Sequence, residues 1–315
     1  MNHELQQAGP FESGLRRLVR WGLYPASWAV LLVGIYGIVT TDGGPASIWA
    51  KSVGFLVPVY LLIEIMLPYQ KRWAMTWASF LADLKFVVTN GAFGAAISAG
   101  LAWFAITTAG DHPGPATGWP LWAQVVAALL IFEAINYALH RAMHELGGPL
   151  GRFLWLSHAA HHLPPRLYLI MHAVFHPVNA IFIQGLAIIL PLWAMGYTAE
   201  AVAIFSMING LHGLISHFNV DVRMGWMSYI FSGTETHRYH HSADVNEAKN
   251  YGATLMVYDI LFGTFVYRPG VPPEALGVSA ATGLPPYERF FAVMALPFRR
   301  KSDQDRASVT QASTR

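Results

Sequence analysis

Six apolar runs, each about long enough to cross a lipid bilayer, constrain the fold of this chain more than any other feature. A helix needs about 20 mostly apolar residues to span the hydrocarbon core. The runs cover residues 22–40, 52–69, 86–108, 119–139, 178–197 and 200–217. Only 12% of the residues are charged, against about 25% in an ordinary soluble domain. We therefore predict an all-α fold, a polytopic membrane protein with about six membrane-embedded helices.

Lys and Arg residues cluster on one side of the predicted spans, and such residues mark the cytoplasmic side. The opposite side carries Asp42, Asp111, His112 and Glu200, with Lys51 as its one basic residue. We therefore predict that both termini and the histidine motifs described below are cytoplasmic. The basic residues on that side are Arg16, Arg17, Arg20, Lys71, Arg72, Lys85, Arg141, Arg152, Arg166, Arg223 and Arg238.

Two carboxylates, Glu64 and Glu133, fall inside predicted spans, where such groups are rare and are usually functional or paired. We interpret Glu64 as an interfacial residue beside Lys71 and Arg72. The formal net charge of +2 gives the chain no strong bias toward nucleic acid, and we expect no nucleic-acid partner.

Three short histidine boxes are the main candidates for chemistry. The chain has no Cys, so a bound metal must use His or carboxylate ligands. Residues three and four apart lie on one face of a helix, so each box presents its imidazoles together. Eight imidazoles are too many for one ion and suit two, such as iron, zinc or copper. The boxes are His140 and His144; His158, His161 and His162; and His237, His240 and His241.

Other histidines lie close enough in sequence to contribute. His176 in "FHP" and His217 in "SHFNV" are both on the predicted cytoplasmic side, and we include both as candidate ligands. His212 lies about 140° around a helix from His217, so the two do not share a face. Whether His176 or His212 completes the site is left open.

Other metal-site classes fit less well. A haem site would use single histidines inside the spans, and a zinc protease would use H-E-x-x-H, which "HELGG" at His144 lacks. A metal transporter would have ligands near the bilayer midplane. A non-catalytic or transport-type metal-binding membrane protein remains the alternative to an enzyme.

The motifs from Phe132 to Phe265 resemble those of the fatty acid hydroxylase / sterol desaturase superfamily of integral-membrane di-iron oxygenases. "FEAINYALHRAMH" resembles its acidic residue and first box, and "LWLSHAAHH" resembles its second. "FHP" and "SHFNV" resemble two intermediate positions, and "THRYHH", "NYG" and "YDILFGTF" resemble the third box and its tail. The chain departs from the pattern at Asn136, where an aromatic is common, and at Asn179, where Glu often follows "HP".

The resemblance implies a set of site residues. Asn250 and Asp259 match positions near the family site and are expected to support the ligands. The implied metal ligands are His140, His144, His158, His161, His162, His176, His217, His237, His240 and His241.

The resemblance also implies O2 activation at two irons, followed by removal of hydrogen from an unactivated C–H bond of a lipid. Hydroxylation or desaturation is the outcome, and we favour hydroxylation because it needs less geometric control. Zinc is expected to replace iron in some purified material. The sequence contains no electron-transfer module, so a separate donor of the ferredoxin, cytochrome b5 or reductase type is expected. Its predicted docking face comprises Arg141, Arg152, Arg166, Arg223 and Arg238.

These assignments divide the chain into three predicted parts. Residues 1–131 hold the N-terminal membrane helices, and residues 132–268 form the catalytic domain. Residues 269–315 contain a Pro- and Gly-rich loop, a short amphipathic helix at 287–300 and a disordered polar tail.

Overall fold

The computed structural model of the protein describes residues 10–41, 44–108 and 113–299. The described residues contain no β-strand, and two isolated bridges pair Phe231 with Leu255 and Ser242 with Leu276. The predicted all-α fold is confirmed. The α-helices of the described residues and one π-helix have the following bounds: α1, Pro10–Thr40; α2, Pro45–Met66; α3, Trp77–Thr108; α4, Leu121–Glu145; α5, Gly148–His162; α6, Pro177–Ala180; the π-helix, Ile181–Ile189; α7, Leu190–Met195; α8, Ala199–Ser216; α9, Thr234–His240; α10, Val257–Leu261; and α11, Phe290–Met294. Short 3-10 turns cover Lys71–Trp73, Leu169–Ala173, Gly225–Tyr229, Ala280–Thr282 and Leu296–Phe298.

Six helical segments in the described part are long and apolar enough to cross a membrane, as predicted. The first three begin earlier than expected, because their helices also include the residues just before the apolar runs. Predictions that concern Asp42, Asp111, His112 and residues 300–315 lie outside the described residues. The six segments are Pro10–Thr40, Pro45–Met66, Trp77–Ile97, Leu121–Glu145, Pro177–Met195 and Ala199–Ser216.

Helix α8 lies at the centre of the main apolar core and packs against α1, α2 and α4. Its Met207 and Ile215 side chains are fully buried. Phe205 of α8 meets Phe132 of α4 edge to face, with ring centroids 5.5 Å apart. Burying an aromatic or aliphatic side chain stabilises a fold by about 1.5–3 kcal/mol, so these contacts fix α4 beside α8. The last turns of α4 carry His140 and His144, and His217 directly follows α8.

Glu64 is buried within the fold and is not exposed at the surface beside Lys71 and Arg72. Its carboxylate is buried and accepts hydrogen bonds from the backbone N–H groups of Leu169, at 3.0 Å, and Asn219, at 2.7 Å. Leu169 lies in the 3-10 turn Leu169–Ala173, and Asn219 lies in the loop after α8. Glu64 therefore joins both segments to α2. Buried N–H groups need an acceptor, and Glu64 supplies one for two segments at once.

A sharp turn folds α5 back along α4. Gly148 has a φ of +77°, a region that favours glycine. At Gly151 a Cβ atom would come within 1.7 Å of the carbonyl oxygen of Leu146, so only glycine fits this close approach. The turn brings the boxes at the end of α4 and on α5 together.

The C-terminal segment 287–300 was predicted as one amphipathic helix, and its described part, residues 287–299, contains two short pieces instead. Helix α11 and the turn Leu296–Phe298 are separated at Ala295. Val293 and Leu296 are fully buried, and Phe290 packs on Phe86 of α3 with ring centroids 5.0 Å apart. This segment therefore packs against the helices.

Candidate metal centre

Nine imidazoles form two groups at the ends of α4, α5, α8 and α9. Within each group, one ring nitrogen from every residue lies within 4.8 Å of the others. The first group contains His140, His144, His158, His162 and His240, and the second contains His161, His217, His237 and His241.

The two His-x-x-His-His boxes are divided between the groups in a reciprocal way. The second box gives its outer pair, His158 and His162, to the first group and its middle residue, His161, to the second. The third box gives its outer pair, His237 and His241, to the second group and its middle residue to the first. Residues four apart lie closest on a helical face, which explains why the outer residues of each box stay together.

Hydrogen bonds at Nδ1 orient the rings and fix their tautomers. The Nδ1–H of His140 donates to the carbonyl of Tyr251 at 2.7 Å, and that of His158 donates to Asn179 Oδ1 at 3.0 Å. In the second group, His161 donates to the carbonyl of Val174 at 3.0 Å. With the proton on Nδ1, each Nε2 carries a lone pair directed into its group.

The facing nitrogens fit bound metal ions better than hydrogen bonds. His140 Nε2 and His158 Nε2 are 3.0 Å apart, as are His161 Nε2 and His217 Nε2. Neither member of the first pair, nor His161, has an Nε2 proton to share. His240 Nε2 is buried and has no partner within the described part of the chain. Clustered imidazole lone pairs are a donor set suited to iron, zinc or copper.

Burial keeps these imidazoles neutral. It lowers their pKa well below the usual 6.5, and the neighbouring imidazoles lower it further. A histidine must be neutral to bind a metal, so the environment favours binding at neutral pH. The residues outside the spans with this shift are His158, His161, His162, His217, His237, His240 and His241.

The structure does not bring His176 to either group, contrary to its predicted role. Its Nε2–H donates to the carbonyl of Met294 at 3.0 Å, and its Nδ1 accepts from the N–H of Val178 at 3.1 Å. Its Nδ1 thus caps α6, and its Nε2 is bonded to the C-terminal segment. His212 also lies outside the groups, stacked on Phe231 with ring centroids 4.5 Å apart.

His172, which was not among the predicted ligands, lies against the second group. Its ring centroid is 5.2 Å from that of His217, and its buried Nδ1 has no partner among the described residues. It fills the space beside Gly213, where a Cβ atom would meet its Cε1 at 2.6 Å. No sequence signal predicts this contact, because it joins a short turn to α8.

The loop before α10 is anchored by two carboxylates so that its Tyr251 carbonyl meets His140. Glu133 accepts from the N–H groups of residues 253, 254 and 255, at 2.8, 2.7 and 2.6 Å. Asp259 accepts from the N–H groups of Tyr251, at 2.8 Å, and Gly252, at 2.7 Å. Burial raises the pKa of Asp259 to about 6, although these hydrogen bonds favour its charged form. Asp259 therefore acts on His140 through Tyr251.

Asn250 connects α9 to the segment that follows α10. Its Nδ2 donates to the carbonyls of Thr236, at 2.8 Å, and Val266, at 2.7 Å. Its φ of +63° is in the left-handed region, which Asn tolerates better than most residues. Asn250 contacts the residue beside His237 and makes no hydrogen bond to a histidine within the described part of the chain.

Two arginines of the predicted docking face are not free to bind a partner. Arg238 is buried, donates to the carbonyls of Phe218 and Val220, and lies 4.2 Å from the ring centre of Tyr69. This part of the prediction is wrong, because the side chain fastens loops inside the fold. Arg223 is ion-paired with Asp221 and with a second carboxylate.

A cavity of about 200 Å³ adjoins both groups. Five of the nine imidazoles line it, together with Phe132, Ile183 and Ile188 from the spans. Ligand pockets commonly combine an apolar lining with a few polar groups. The cavity therefore gives an apolar segment a route to the imidazoles.

The fold and the site define a helical membrane protein with a histidine-rich centre suited to two metals. The family model for fatty acid hydroxylase matches residues 125–264, which include both groups. Ornithine lipid hydroxylase OlsE of Rhizobium tropici is 31% identical over 294 residues, covering 90% of this chain and 85% of that protein. The chain belongs to the fatty acid hydroxylase / sterol desaturase superfamily, as the motifs predicted.

Other relatives match over the part that holds the histidines. Fatty acid hydroxylase vlmA of Lecanicillium sp is 24% identical over 48% of this chain and 44% of its own length. Alkylglycerol monooxygenase of Caenorhabditis elegans is 30% identical over 47% of this chain and 28% of its own length. No solved structure matches the chain.

Proposed function

We propose that this protein is an O2-dependent di-iron enzyme that hydroxylates a C–H bond of a membrane lipid. The proposal rests on one observation: two groups of five and four imidazoles lie beside one mostly apolar cavity between membrane-spanning helices. Hydroxylation is favoured over desaturation because the named relatives are hydroxylases and a monooxygenase.

We assign one iron to each group, and residues 132–268 to the catalytic domain. When bound, the two irons supply the activation of O2 and the oxidation of the C–H bond. The chain's own contribution is to hold neutral imidazoles in fixed orientations. Asn179 and the Tyr251 carbonyl do this for His158 and His140. Zinc can occupy the same nitrogens in purified material, since both metals accept imidazole.

The substrate is a lipid that enters the cavity from the bilayer with its apolar part leading. The relative that covers most of the chain carries the name ornithine lipid hydroxylase, which favours a polar membrane lipid over a free hydrocarbon. The spans exclude water around the cavity, so the reacting carbon is shielded from bulk solvent.

The termini and both imidazole groups are assigned to the cytoplasmic side, on the Lys and Arg distribution. A separate donor of the ferredoxin, cytochrome b5 or reductase type then delivers electrons there. Arg141 and Arg166 are part-exposed and are the arginines assigned to this contact, although Arg141 is ion-paired with Glu145 and Arg166 donates to the carbonyls of Arg72 and Ala74. Basic rim residues affect the rate of encounter with an acidic partner more than the final affinity.

Lipid analysis of cells with and without the gene tests the proposal. Cells with the wild-type protein should contain a lipid heavier by one oxygen, labelled when 18O2 is supplied. His161→Ala and His240→Ala each remove a ligand and should abolish that product. Leu186→Met, on the lipid-facing side of its helix, is the control and should retain it. Identical lipid profiles for wild type and His161→Ala, with different cellular metal contents, would instead favour the transport-type alternative.

A further inference from the structure

Four amide side chains inside the membrane-spanning segments line the cavity, and two of them, Asn136 and Asn179, are hydrogen-bonded to Glu133 and His158. The other two are Gln184 of the π-helix and Asn209 of α8. Asn209 Oδ1 accepts from Thr254 Oγ1 at 2.7 Å. Within the described part of the chain, its amide nitrogen donates no hydrogen bond, and the Gln184 side chain makes none. Each amide therefore presents unused polar atoms at a cavity that also reaches the imidazoles.

Gln184 and Asn209 are both part-exposed, so their unused polar atoms are open to the cavity. Polar residues inside spans are rare, and they mark pathways and binding sites. A molecule bound in the cavity can therefore hydrogen-bond to both amides. The described lining contains no Asp, Glu, Lys or Arg, so the complementary group is neutral.

The irregular backbone of the fifth span is what turns its amide toward the cavity. Asn179, Ile183, Gln184 and Ile188 all line the cavity. In a regular α-helix, the stretch from Asn179 to Ile188 would make about two and a half turns. The two side chains would then point in opposite directions. The i→i+5 pattern of the π-helix keeps them on one side, and such irregularities are frequent at functional sites. Gly94 of α3 leaves room for the amide, since a Cβ there would lie 3.0 Å from Gln184 Oε1.

We propose that Gln184 and Asn209 form a subsite for a neutral secondary amide, and that the substrate is a lipid whose reacting carbon lies a few bonds from such an amide. Asn209 Nδ2 donates to the amide carbonyl, and Gln184 Oε1 accepts from the amide N–H. Both amides and five of the nine imidazoles line this one cavity of about 200 Å³, so an amide bound at the subsite places the carbons next to it beside the imidazoles. This inference rests on the proposed function for the identity of the reacting carbon.

Binding of a matched pair of probes tests the subsite without turnover. N-decylacetamide and tridecane have chains of equal length and differ in the amide. Their dissociation constants for the metal-loaded protein in detergent, without O2, follow from the ligand-induced rise in melting temperature. Gln184→Met and Asn209→Leu should each weaken N-decylacetamide binding by about tenfold, the loss of one hydrogen bond. Tridecane binding should not weaken, and Leu186→Met should change neither.

Several outcomes separate the subsite from the proposed function. Unchanged N-decylacetamide binding in both variants, or equal weakening for tridecane, would overturn the subsite. Metal analysis of each variant shows whether the centre is intact. Selective weakening of N-decylacetamide binding supports the subsite whether or not a lipid is oxidised. Absence of any oxidised lipid would count against the proposed function and not against the subsite. In active cells, tandem mass spectrometry should locate the added oxygen near an amide, and an oxygen far along an acyl chain would contradict the inference.

Discussion

The Nε2 atoms of His140 and His158 face each other at 3.0 Å, and neither carries a proton. Both rings donate from Nδ1 instead, to Tyr251 and Asn179. Two facing lone pairs repel, whereas a cation between them is bound by both. The fold without metal therefore carries an electrostatic cost at this point, which a bound ion relieves.

Metal removal should destabilise the protein, because the ions bind the folded state. Purified protein should contain close to two ions per chain. Dialysis against a chelator should lower the melting temperature, and iron should restore it. An ion present at 100 times its dissociation constant contributes about 2.7 kcal/mol. A reproducible content of one ion with full activity would contradict the two-metal assignment.

Adjacent histidines should belong to different metals. His161→Ala combined with His241→Ala removes two ligands from one group, so we expect the loss of about one ion per chain. His161→Ala combined with His162→Ala removes one ligand from each group, so we expect both ions to be weakened. Metal analysis after passage over a chelating resin measures the difference. Equal losses in the two double variants would show that the reciprocal division of the boxes is incorrect.

A histidine outside the groups gives the matched control. His176→Asn keeps a capping side chain at the start of α6 and removes the imidazole. We expect it to retain both ions and the oxidised lipid. Loss of one ion in this variant would return His176 to the ligand set that the sequence motifs implied.

The sequence predicts the histidine boxes well because local helical geometry determines which side chains share a face. It does not predict which imidazoles share a metal, because that depends on the angles between α4, α5 and α9. The carbonyls of Tyr251 and Val174 orient ligands, yet a backbone carbonyl leaves no signal in residue type. Asn179 has a signal in its position after "HP", but that position predicts only a departure from the family pattern and not a hydrogen bond to His158.

Buried charges were the least predictable feature. Glu64 and Arg238 are ionisable residues in a membrane protein, which suggests the interface or the surface. Both are buried because they satisfy backbone groups in loops, Glu64 as an acceptor and Arg238 as a donor. Which loop needs such a partner follows from tertiary structure. Helix existence, by contrast, was predictable from hydropathy in all six spans.

Asn179 should control the affinity of the first metal through His158. Asn179→Leu removes the acceptor of the Nδ1–H, so the ring loses its fixed tautomer and orientation. Loss of such a partner typically lowers metal affinity by 10- to 100-fold. Competition with a chelator of known affinity measures the change, and Asn179→Asp, which keeps an acceptor, should be closer to wild type. Equal affinity for wild type and Asn179→Leu would exclude this positioning role.

Glu133→Gln should destabilise the loop before α10. The carboxylate accepts hydrogen bonds from three backbone N–H groups and from Asn136. In the Gln variant an NH2 group would replace one acceptor oxygen, so the N–H groups that face it would lose their acceptor. Each unsatisfied buried group costs about 1–3 kcal/mol. Thermal unfolding in detergent should therefore show a lower melting temperature. Glu12→Gln, at a partly exposed ion pair with Arg16, is the control and should change stability by less than about 1 kcal/mol.

The proposed orientation can be tested by labelling, because the chain contains no native Cys. Val245, on the loop after the third box, is 69% exposed, and Thr117, in the turn before α4, is also exposed. These sites lie at opposite ends of α4. Lys and Arg residues are concentrated near the first site, so Val245→Cys should react only with reagents that enter the cytoplasm. Thr117→Cys should react with an impermeant maleimide added outside. The reverse pattern would place the imidazole groups on the outer side, out of reach of a cytoplasmic electron donor.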